Sequence, residues 1–170
     1  MEQPEIRRRR DDDVKACVEA LATVHEADRY PARWPADPAG WLTPDGLLEA
    51  WVAVDGTDVL GHVALTRTDR VMAADAGHPP DELASVSRLF ATASARRRGV
   101  ASALLATATT AATAIGLRLV LEVEDGGGAA VALYERAGWR HAGSRPGDWR
   151  TADGRTALLH TYVAPAGATR

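Results

Sequence analysis

Apolar residues near the start of the chain recur with the spacing of one helix face. Ile6–Arg9 predicts a short first strand, and the carboxylates of Asp11–Asp13 then supply acceptors and negative charge that favour the beginning of a helix. In the helix that should follow, the apolar positions are Val14, Cys17, Val18, Leu21 and Val24. Because this spacing is that of a helix buried on one face, Cys17 is expected to lie in the core as a small apolar residue.

The next region changes from periodic to irregular and then to strand-like. Prolines and aromatic residues interrupt any regular pattern in the Asp28–Pro44 segment, which is therefore predicted to be irregular. Glu49–Val54 and Val59–Thr66 are rich in apolar and β-branched residues, and Asp55-Gly56 between them favours a tight turn. These two runs are predicted to form a β-hairpin.

The middle of the chain predicts one long helix between two strands. Arg67–Pro80 contains glycine and proline and is predicted to be a connection, after which Glu82–Ala91 resumes a strand pattern. Apolar positions in Val100–Ile115 follow helical spacing, and Gly116 stands where a helix should end. Leu117–Val123 then alternates in the manner of a strand with two chemically different faces.

The last part of the chain predicts a shorter helix and a closing pair of strands. Ala130–Ala137 has helical spacing and is followed by Gly138, which should end the helix. The residues from Trp139 onward are predicted to pair with Ala157–Val163, and Arg145–Asp148 fits a turn between the two strands.

Length and composition fit one domain and narrow the classes of function. A chain of 170 residues with 46% hydrophobic residues has the size of a single core, so residues 1–170 are predicted to form one domain. A formal net charge of -3 argues against nonspecific nucleic-acid binding. The single cysteine and the absence of zinc-ligand spacing argue against a disulfide framework and a metal site. Because no run is apolar enough to act as a signal peptide or to span a bilayer, we expect a cytoplasmic protein without a membrane partner.

The run Arg96–Ser102, Arg-Arg-Arg-Gly-Val-Ala-Ser, leads directly into the predicted long helix. The first amides of a helix have no partners within it, and the helix dipole leaves about half a positive charge there, so this end favours phosphate oxygens. Gly99 and Ala101 have small side chains that let an anion approach the backbone, and the arginines add positive potential. On this segment alone two interpretations stay open, a pyrophosphate-binding turn and an ordinary exposed basic turn.

Two motifs in this order resemble the GNAT N-acetyltransferase superfamily. Leu89–Ala91 followed by Arg96–Ala101 is similar to its acetyl-CoA motif, whose core pattern is Gln/Arg-x-x-Gly-x-Gly/Ala. Leu121–Val123 and Ala129–Trp139 are similar to its next strand and to the helix that ends in Leu-Tyr-x-x-x-Gly-Phe. The resemblance implies an α+β (mixed α/β) fold in a single GNAT-like domain. Its mostly antiparallel central sheet would have about six or seven strands with a splayed parallel pair, flanked by about four helices.

The resemblance also implies where acetyl-CoA binds and how it reacts. In such enzymes the strand that corresponds to Leu89–Ala91 pairs with the pantetheine arm, and Arg97–Ser102 would wrap the pyrophosphate. Tyr134 matches the tyrosine that commonly protonates the departing thiolate of coenzyme A. The implied enzyme needs no metal and works as a monomer or homodimer. The implied cofactor-binding residues are Leu89, Phe90, Ala91, Arg96, Arg97, Arg98, Gly99, Val100, Ala101, Ser102, Gly127 and Ala130.

Transfer to nitrogen requires a neutral amine, so a base must take a proton from an acceptor that is mostly ammonium at neutral pH. Glu122 is the leading candidate, because its Leu-Glu-Val setting resembles that of the catalytic glutamate in ribosomal-protein alanine acetyltransferases. A solvated glutamate without a catalytic role is the alternative. Ser85 and Ser87 could only orient a water molecule, and His62 and His78 are interpreted as structural.

The aromatic residues of the Asp28–Pro44 segment fall in the region that usually lines the acceptor side in this superfamily. Tyr30, Trp34 and Trp41 are candidate substrate-binding residues, and aromatic packing that pins a loop is the alternative. The acceptor is expected to be a small-molecule amine, with a protein N-terminus or a lysine as the alternative. Acidic residues in and near the segment favour a cationic amine, namely Glu26, Asp28, Asp37 and Asp45.

Some positions depart from the family pattern. Ala91 stands where a valine is common and Ala93 where a proline is common, and Gly127 replaces an asparagine that often contacts the cofactor. These departures keep open a second hypothesis, a catalytically silent acyl-CoA-binding regulatory module. A nucleotide-binding domain and a serine hydrolase are disfavoured because the chain lacks the Gly-x-Gly-x-x-Gly, P-loop and Gly-x-Ser-x-Gly patterns.

Overall fold

The computed structural model describes residues 3–125, 128–151 and 153–165. The strands are β1 (Glu5–Arg8), β2 (Leu47–Asp55), β3 (Asp58–Arg67), β4 (Leu83–Ala91), β5 (Arg118–Glu124), β6 (Arg140–Arg150) and β7 (Thr156–Val163). The α-helices are α1 (Val14–Asp28), α2 (Pro38–Trp41), α3 (Arg70–Ala76), α4 (Val100–Ala114) and α5 (Gly128–Arg136). Short 3₁₀ turns cover Asp11–Asp13, Pro80–Glu82 and Ala93–Ala95.

The strands form one mixed sheet in the order β1-β2-β3-β4-β5-β7-β6. β4 and β5 are parallel, with Leu83–Ser85 paired to Arg118–Val120. The β1–β2, β2–β3, β5–β7 and β6–β7 ladders are antiparallel. The predicted α+β class, with a largely antiparallel sheet and one parallel pair, is therefore confirmed.

The chain divides into two compact units, and β4 contributes residues to both. The first unit consists of Met1–Thr66 and Val86–Ala111, and the second consists of Arg67–Ser85 and Ala112–Arg170.

In the first unit, the apolar face of α1 is buried against β2, β3 and the end of β4. Cys17 and Leu21 are fully buried and share a cluster with Val52, Val59 and Phe90. The predicted one-faced helix and the predicted burial of Cys17 are both confirmed.

Gly61 lies in β3 where the strand approaches the first turns of α4. A Cβ atom at this position would come within 2.8 Å of Val100 Cγ1, 2.9 Å of Leu104 Cδ1 and 2.9 Å of the Phe90 carbonyl oxygen. Because carbon atoms in favourable contact lie about 3.5–4.0 Å apart, a side chain does not fit here. Glycine therefore allows α4 and β4 to pack this closely on β3.

In the second unit, the segment predicted to be a plain connection contains helix α3, so that prediction is wrong. The Asp69 side chain accepts a hydrogen bond from the Met72 amide at 2.8 Å and caps the helix, which ends at Gly77 with φ of 76°. Only Ala73 and Ala76 of this helix are buried. A helix this short, with such small buried side chains, gives no clear hydrophobic period in the sequence.

The turn predicted at Arg145–Asp148 is also wrong, because these residues lie inside β6. The strand instead ends near Thr151, whose amide bonds to the Arg155 carbonyl at 2.8 Å, and Gly154 supplies the positive φ of the turn. β6 is an edge strand of the sheet, where Pro146 removes a donor without breaking an inner ladder. A register shift between Pro146 and Arg150 accommodates the residues that follow the proline.

The two faces of β5 differ chemically, as its alternating sequence predicts. Arg118 and Glu122 lie half-buried on one face, and Leu119 and Leu121 are buried on the other. Leu119, Val120 and Leu121 are all buried, so consecutive side chains on both faces of the strand are covered. This is typical of a strand in the middle of a sheet with a parallel neighbour. Within the described residues, no helix is long and apolar enough to cross a bilayer.

Candidate active site

The turn before α4 leaves backbone amides without partners inside the helix. The first helical bond runs from the Ala103 amide to the Gly99 carbonyl at 2.9 Å. The amides of Val100, Ala101 and Ser102 therefore precede the helical ladder, at the positive end of a helix of 15 residues. Arg97 and Gly99 both have a positive φ, of 66° and 72°, which brings the chain sharply into the helix. The turn has the backbone geometry of an anion-binding site.

The three arginines of this turn are not equivalent. The Arg96 guanidinium pairs with Asp28, and Arg98 lies 3.8 Å from an Asp55 carboxylate oxygen. Arg97 is exposed and forms no ion pair with any described residue. Two of the three arginines thus already face carboxylates of the first unit. The sequence does not distinguish them from Arg97.

The end of β4 carries a local distortion just before the segment predicted to bind the pantetheine arm. Arg88 has a φ of 54°, the left-handed region that non-glycine residues rarely adopt within a strand. Its carbonyl oxygen lies 2.9 Å from His62 Nδ1. After this distortion Phe90 is buried, and Leu89 and Ala91 are half-buried. The strand therefore changes direction at Arg88, where a neighbouring strand holds it.

His62 is fully buried and keeps a defined hydrogen-bond pattern. Burial lowers the pKa of His62 to about 4, so the ring is neutral at pH 7. An Arg9 Nη1 atom lies 3.0 Å from His62 Nε2, and an arginine can only donate. His62 Nδ1 must therefore carry the proton and donate it to the Arg88 carbonyl. This packing agrees with the interpretation of His62 as structural.

The structure brings together two of the three predicted acceptor-side aromatics. The Tyr30 and Trp41 rings meet edge to face with centroids 5.9 Å apart. Trp34 packs instead on His25 at 5.4 Å. The Arg88 guanidinium stacks on the Trp41 ring at 4.1 Å and donates through Nε to the Trp41 carbonyl at 2.9 Å. Arg88 carries no signal of a site in the sequence, because its place beside Trp41 depends on the fold.

In the second unit, Glu122 is held in a group of charged side chains. It pairs with Arg145, whose Nε donates to Asp75 at 3.0 Å. Burial raises the pKa of Glu122, and the nearby carboxylates of Asp69 and Asp75 act in the same direction, whereas Arg145 opposes them. The sequence does not predict that Arg145 and Asp75 lie in this group, since Arg145 comes from β6 and Asp75 from the unpredicted helix α3.

Tyr134 lies in the last turns of α5, packed among aromatic rings. Its ring centroid is 5.7 Å from that of Trp139 and 6.2 Å from that of Tyr162. Burial raises the pKa of Tyr134 to about 12, so its hydroxyl stays protonated at neutral pH. Ala130 is half-buried near the beginning of the same helix, and Gly127 lies outside the described residues.

The other side chains considered for a role in proton transfer, His78, Ser85 and Ser87, each contact a neighbouring polar side chain. His78 Nε2 lies 3.3 Å from an Arg118 nitrogen, and the hydroxyls of Ser85 and Ser87 bond to Thr68 and Thr66. No group of three or more His, Cys, Asp or Glu side chains in residues 3–125, 128–151 and 153–165 is placed to hold a metal ion.

Comparison with known proteins gives one family and several solved structures. The Acetyltransferase (GNAT) family model matches residues 14–139. A search of curated proteins found no significant match. An N-acetyltransferase from Staphylococcus aureus Mu50 is 21% identical with a TM-score of 0.74, over 95% of this chain and 98% of that one.

Two further structures cover nearly the whole chain. The ribosomal-protein-S18-alanine N-acetyltransferase from Escherichia coli is 18% identical with a TM-score of 0.70, over 99% of both chains. Arabidopsis thaliana NAA60 in complex with acetyl-CoA is 19% identical with a TM-score of 0.70, over 94% of this chain and 97% of that one. At these identities the likeness concerns the fold. Because the family model spans most of the chain, from residue 14 to residue 139, this protein belongs to the GNAT acetyltransferase family.

Proposed function

We propose that this protein is an acetyl-CoA-dependent N-acetyltransferase that moves the acetyl group directly onto the amine of a small molecule. The observation that carries the proposal is the turn before α4, where the amides of Val100–Ser102 precede the first helical bond. Family membership supports acetyl-CoA as the donor. The proposal takes residues 1–170 as one acetyltransferase domain.

The cofactor-binding residues are proposed from the fit of the turn to a pyrophosphate. Helix-start amides and the small residues Gly99 and Ala101 suit close approach by phosphate oxygens. Arg97 is the arginine best placed to add charge, because Arg96 and Arg98 already face Asp28 and Asp55. Leu89–Ala91, Ala130 and Gly127 complete the proposed set by their match to the family motifs.

Acetyl-CoA supplies a thioester whose carbonyl carbon the neutral amine attacks. Tyr134 is proposed to donate its hydroxyl proton to the sulfur, first as a hydrogen bond to the developing thiolate. A pKa of about 12 keeps that proton on the hydroxyl until the thiolate forms, and the proton that the acetylated nitrogen releases restores the tyrosine. No covalent enzyme intermediate is required.

Glu122 is proposed as the base that takes a proton from the acceptor amine. A half-buried carboxylate with a raised pKa holds a proton better than a solvated one, and this suits a base. Arg145 pairs with the same carboxylate and favours its ionised form, which opposes the effect of burial. Glu122→Gln should therefore lower kcat and remove the acidic limb of the pH–rate profile, with acetyl-CoA affinity retained.

A small-molecule acceptor is proposed from the surroundings of Tyr30 and Trp41 in the first unit. Their edge-to-face pair, with the Arg88 guanidinium stacked on Trp41, presents aromatic and polar groups side by side. Such a mixture suits a compact ligand with few polar groups. The Escherichia coli relative is named for a protein acceptor, so protein N-termini belong in the test as the competing class.

The experiment that tests the proposal measures thiol release from acetyl-CoA and mass gain on a panel of metabolite amines, aminoglycosides and short peptides. Tyr134→Phe should lower kcat by about 100-fold or more, the scale of a lost general acid, while the acetyl-CoA Kd stays within about twofold. Tyr162→Phe is the matched control, because it also removes a hydroxyl from a buried ring and has no proposed role. Full activity of the Tyr134→Phe variant would contradict the proposed role of Tyr134 as the proton donor. Acetyl-CoA binding without thiol release on any amine would favour the silent module.

A further inference from the structure

Arg88 is a half-buried cation without a carboxylate partner. Its Nε donates to the Trp41 carbonyl at 2.9 Å, and its Cζ atom lies 4.1 Å from the Trp41 ring centroid. In the part of the chain that the structure describes, no aspartate or glutamate pairs with it, and no acceptor bonds to its Nη1 or Nη2. Burial lowers the pKa of Arg88, so its charge is held at an energetic cost.

A second guanidinium nearby is also without an acid. Arg9 donates to the Leu42 carbonyl at 2.6 Å, to Thr43 Oγ1 at 2.8 Å and to His62 Nε2 at 3.0 Å. These acceptors are all neutral, since burial keeps His62 uncharged at pH 7. The same His62 ring donates to the Arg88 carbonyl, so both arginines are hydrogen-bonded to one buried histidine. Neither positive charge therefore pairs with a carboxylate of the described residues.

Two of the four acids expected to favour a cationic acceptor are used elsewhere. Asp28, expected to favour a cationic acceptor, pairs with Arg96. Asp37 accepts a hydrogen bond from the Gly40 amide at 3.1 Å and caps α2. The surroundings of Tyr30 and Trp41 thus present positive charge, where the sequence led us to expect negative charge.

The free edge of the Arg88 guanidinium matches one chemical group well. With Nε occupied, Nη1 and Nη2 remain as a planar pair of donors, which suits the two oxygens of a carboxylate. The hydrogen bond and the cation–π contact with Trp41 hold the guanidinium in place, so less side-chain entropy remains to be lost on binding. Arg88 directly precedes Leu89–Ala91, the segment proposed to bind the pantetheine arm. Its left-handed backbone, with φ of 54°, is the kind of local strain that concentrates at binding sites.

We propose that Arg88 binds a carboxylate of the acceptor, so that the acceptor is an amino-acid-like molecule carrying both an amine and a carboxylate. This inference rests on the proposed N-acetyltransferase function and narrows its acceptor class. A role for Arg88 that is only structural, the pinning of Trp41, is the competing explanation.

The test uses matched acceptors, each amino acid paired with its carboxamide and with the amine that lacks the carboxylate. The wild-type protein should prefer the free acid in kcat/KM by about 10- to 100-fold, the scale of one charge-assisted bidentate contact. Arg88→Gln should abolish this preference by lowering kcat/KM for the acid alone, and Arg88→Lys should retain part of it. Arg67→Gln is the control, because Arg67 is an exposed arginine at the end of β3. Thermal melting of each variant reports whether it is folded.

The possible failures are distinguishable. Equal transfer to the acids and to their carboxamides by the wild-type protein would overturn the inference, as would transfer to none of the acids. A uniform loss on all acceptors in folded Arg88→Gln, without a change in the acid-to-amide ratio, would assign Arg88 the structural role. Absence of acetyl-CoA binding would instead overturn the proposed function itself.

Discussion

The close approach at Gly61 makes Gly61→Ala a sharp test of how the first unit holds its cofactor segments. The added Cβ would lie 2.8 Å from Val100 Cγ1 and 2.9 Å from both Leu104 Cδ1 and the Phe90 carbonyl oxygen. Leu104 can change rotamer, but the Phe90 oxygen belongs to the backbone and cannot rotate away. Val100 is the first residue of α4, and Phe90 lies in the segment proposed to bind the pantetheine arm. The substitution therefore pushes on both proposed contacts with acetyl-CoA.

The magnitude follows from two opposing effects. Overpacking of a buried site by one methyl group costs about 1–3 kcal/mol. Replacing glycine by alanine in a strand recovers about 0.5–1 kcal/mol, because glycine loses more backbone freedom on folding. The two ranges leave a net loss of about 0–2.5 kcal/mol in the free energy of unfolding, with a midpoint of about 1 kcal/mol. The acetyl-CoA Kd should rise as well, because the beginning of α4 moves.

Urea unfolding and calorimetric titration with acetyl-CoA measure these two effects. Gly143→Ala is the matched control, since its Cβ would meet only the Asp75 carbonyl oxygen at 3.7 Å and the Asp75 Cβ at 3.8 Å, which are ordinary contacts. The control should unfold at the wild-type urea concentration or slightly above it, because alanine restricts the unfolded backbone without a clash, and it should bind acetyl-CoA normally. A Gly61→Ala protein as stable as the wild type, with an unchanged acetyl-CoA Kd, would refute the reasoning. So would an equal loss of stability in Gly143→Ala.

Two further predictions concern buried titratable groups. His62 has its pKa lowered to about 4 by burial, so the unfolded chain takes up the proton first as the pH falls, and stability is lost from about pH 6.5 down to about pH 4. His62→Gln should reduce this pH dependence of the free energy of unfolding by up to about 3 kcal/mol, as measured by urea unfolding. If the slope against pH does not change in the variant, the dependence comes from other groups. Burial raises the pKa of the Cys17 thiol to about 11, so iodoacetamide at about pH 8 should modify the native chain far more slowly than the urea-unfolded chain. Mass spectrometry measures the extent of alkylation over time. Equal rates in the native and the urea-unfolded chain would contradict the burial of Cys17.

Elements with a long periodic signal could be predicted from the sequence. α1 and α4 have apolar residues at helical spacing, and Gly116, with a φ of 78°, follows α4 where a stop was expected. The hairpin of β2 and β3 follows from two β-rich runs around Asp55-Gly56. In each case the decisive information is local, because spacing and turn chemistry are properties of neighbouring residues.

The elements that could not be predicted depend on contacts between distant residues. β6 continues through Pro146 and Gly147 because it is an edge strand, and edge position is a property of the whole sheet. α3 buries only two alanines and so leaves almost no periodic signal. Local patterns therefore gave turn or connection where the fold has strand and helix.

The same distinction applies to the candidate site. The turn at Arg96–Ser102 could be recognised because its glycine and its helix are adjacent in the sequence. The partners of Glu122 and the setting of Arg88 could not, since Arg145 and Trp41 are 23 and 47 residues away from them along the chain. Contacts at such separations are set by the fold alone, and the contacts of Arg88 are the basis of the proposed amino-acid-like acceptor.

The central claim is that the turn before α4 binds the pyrophosphate of acetyl-CoA, and calorimetric titration of the full chain with acetyl-CoA tests it most directly. ATP serves as the comparison ligand, because it shares the adenine and phosphates without the pantetheine arm. The account predicts that acetyl-CoA saturates one site per chain and that ATP binds much more weakly. Saturable binding of ATP with no binding of acetyl-CoA would contradict it.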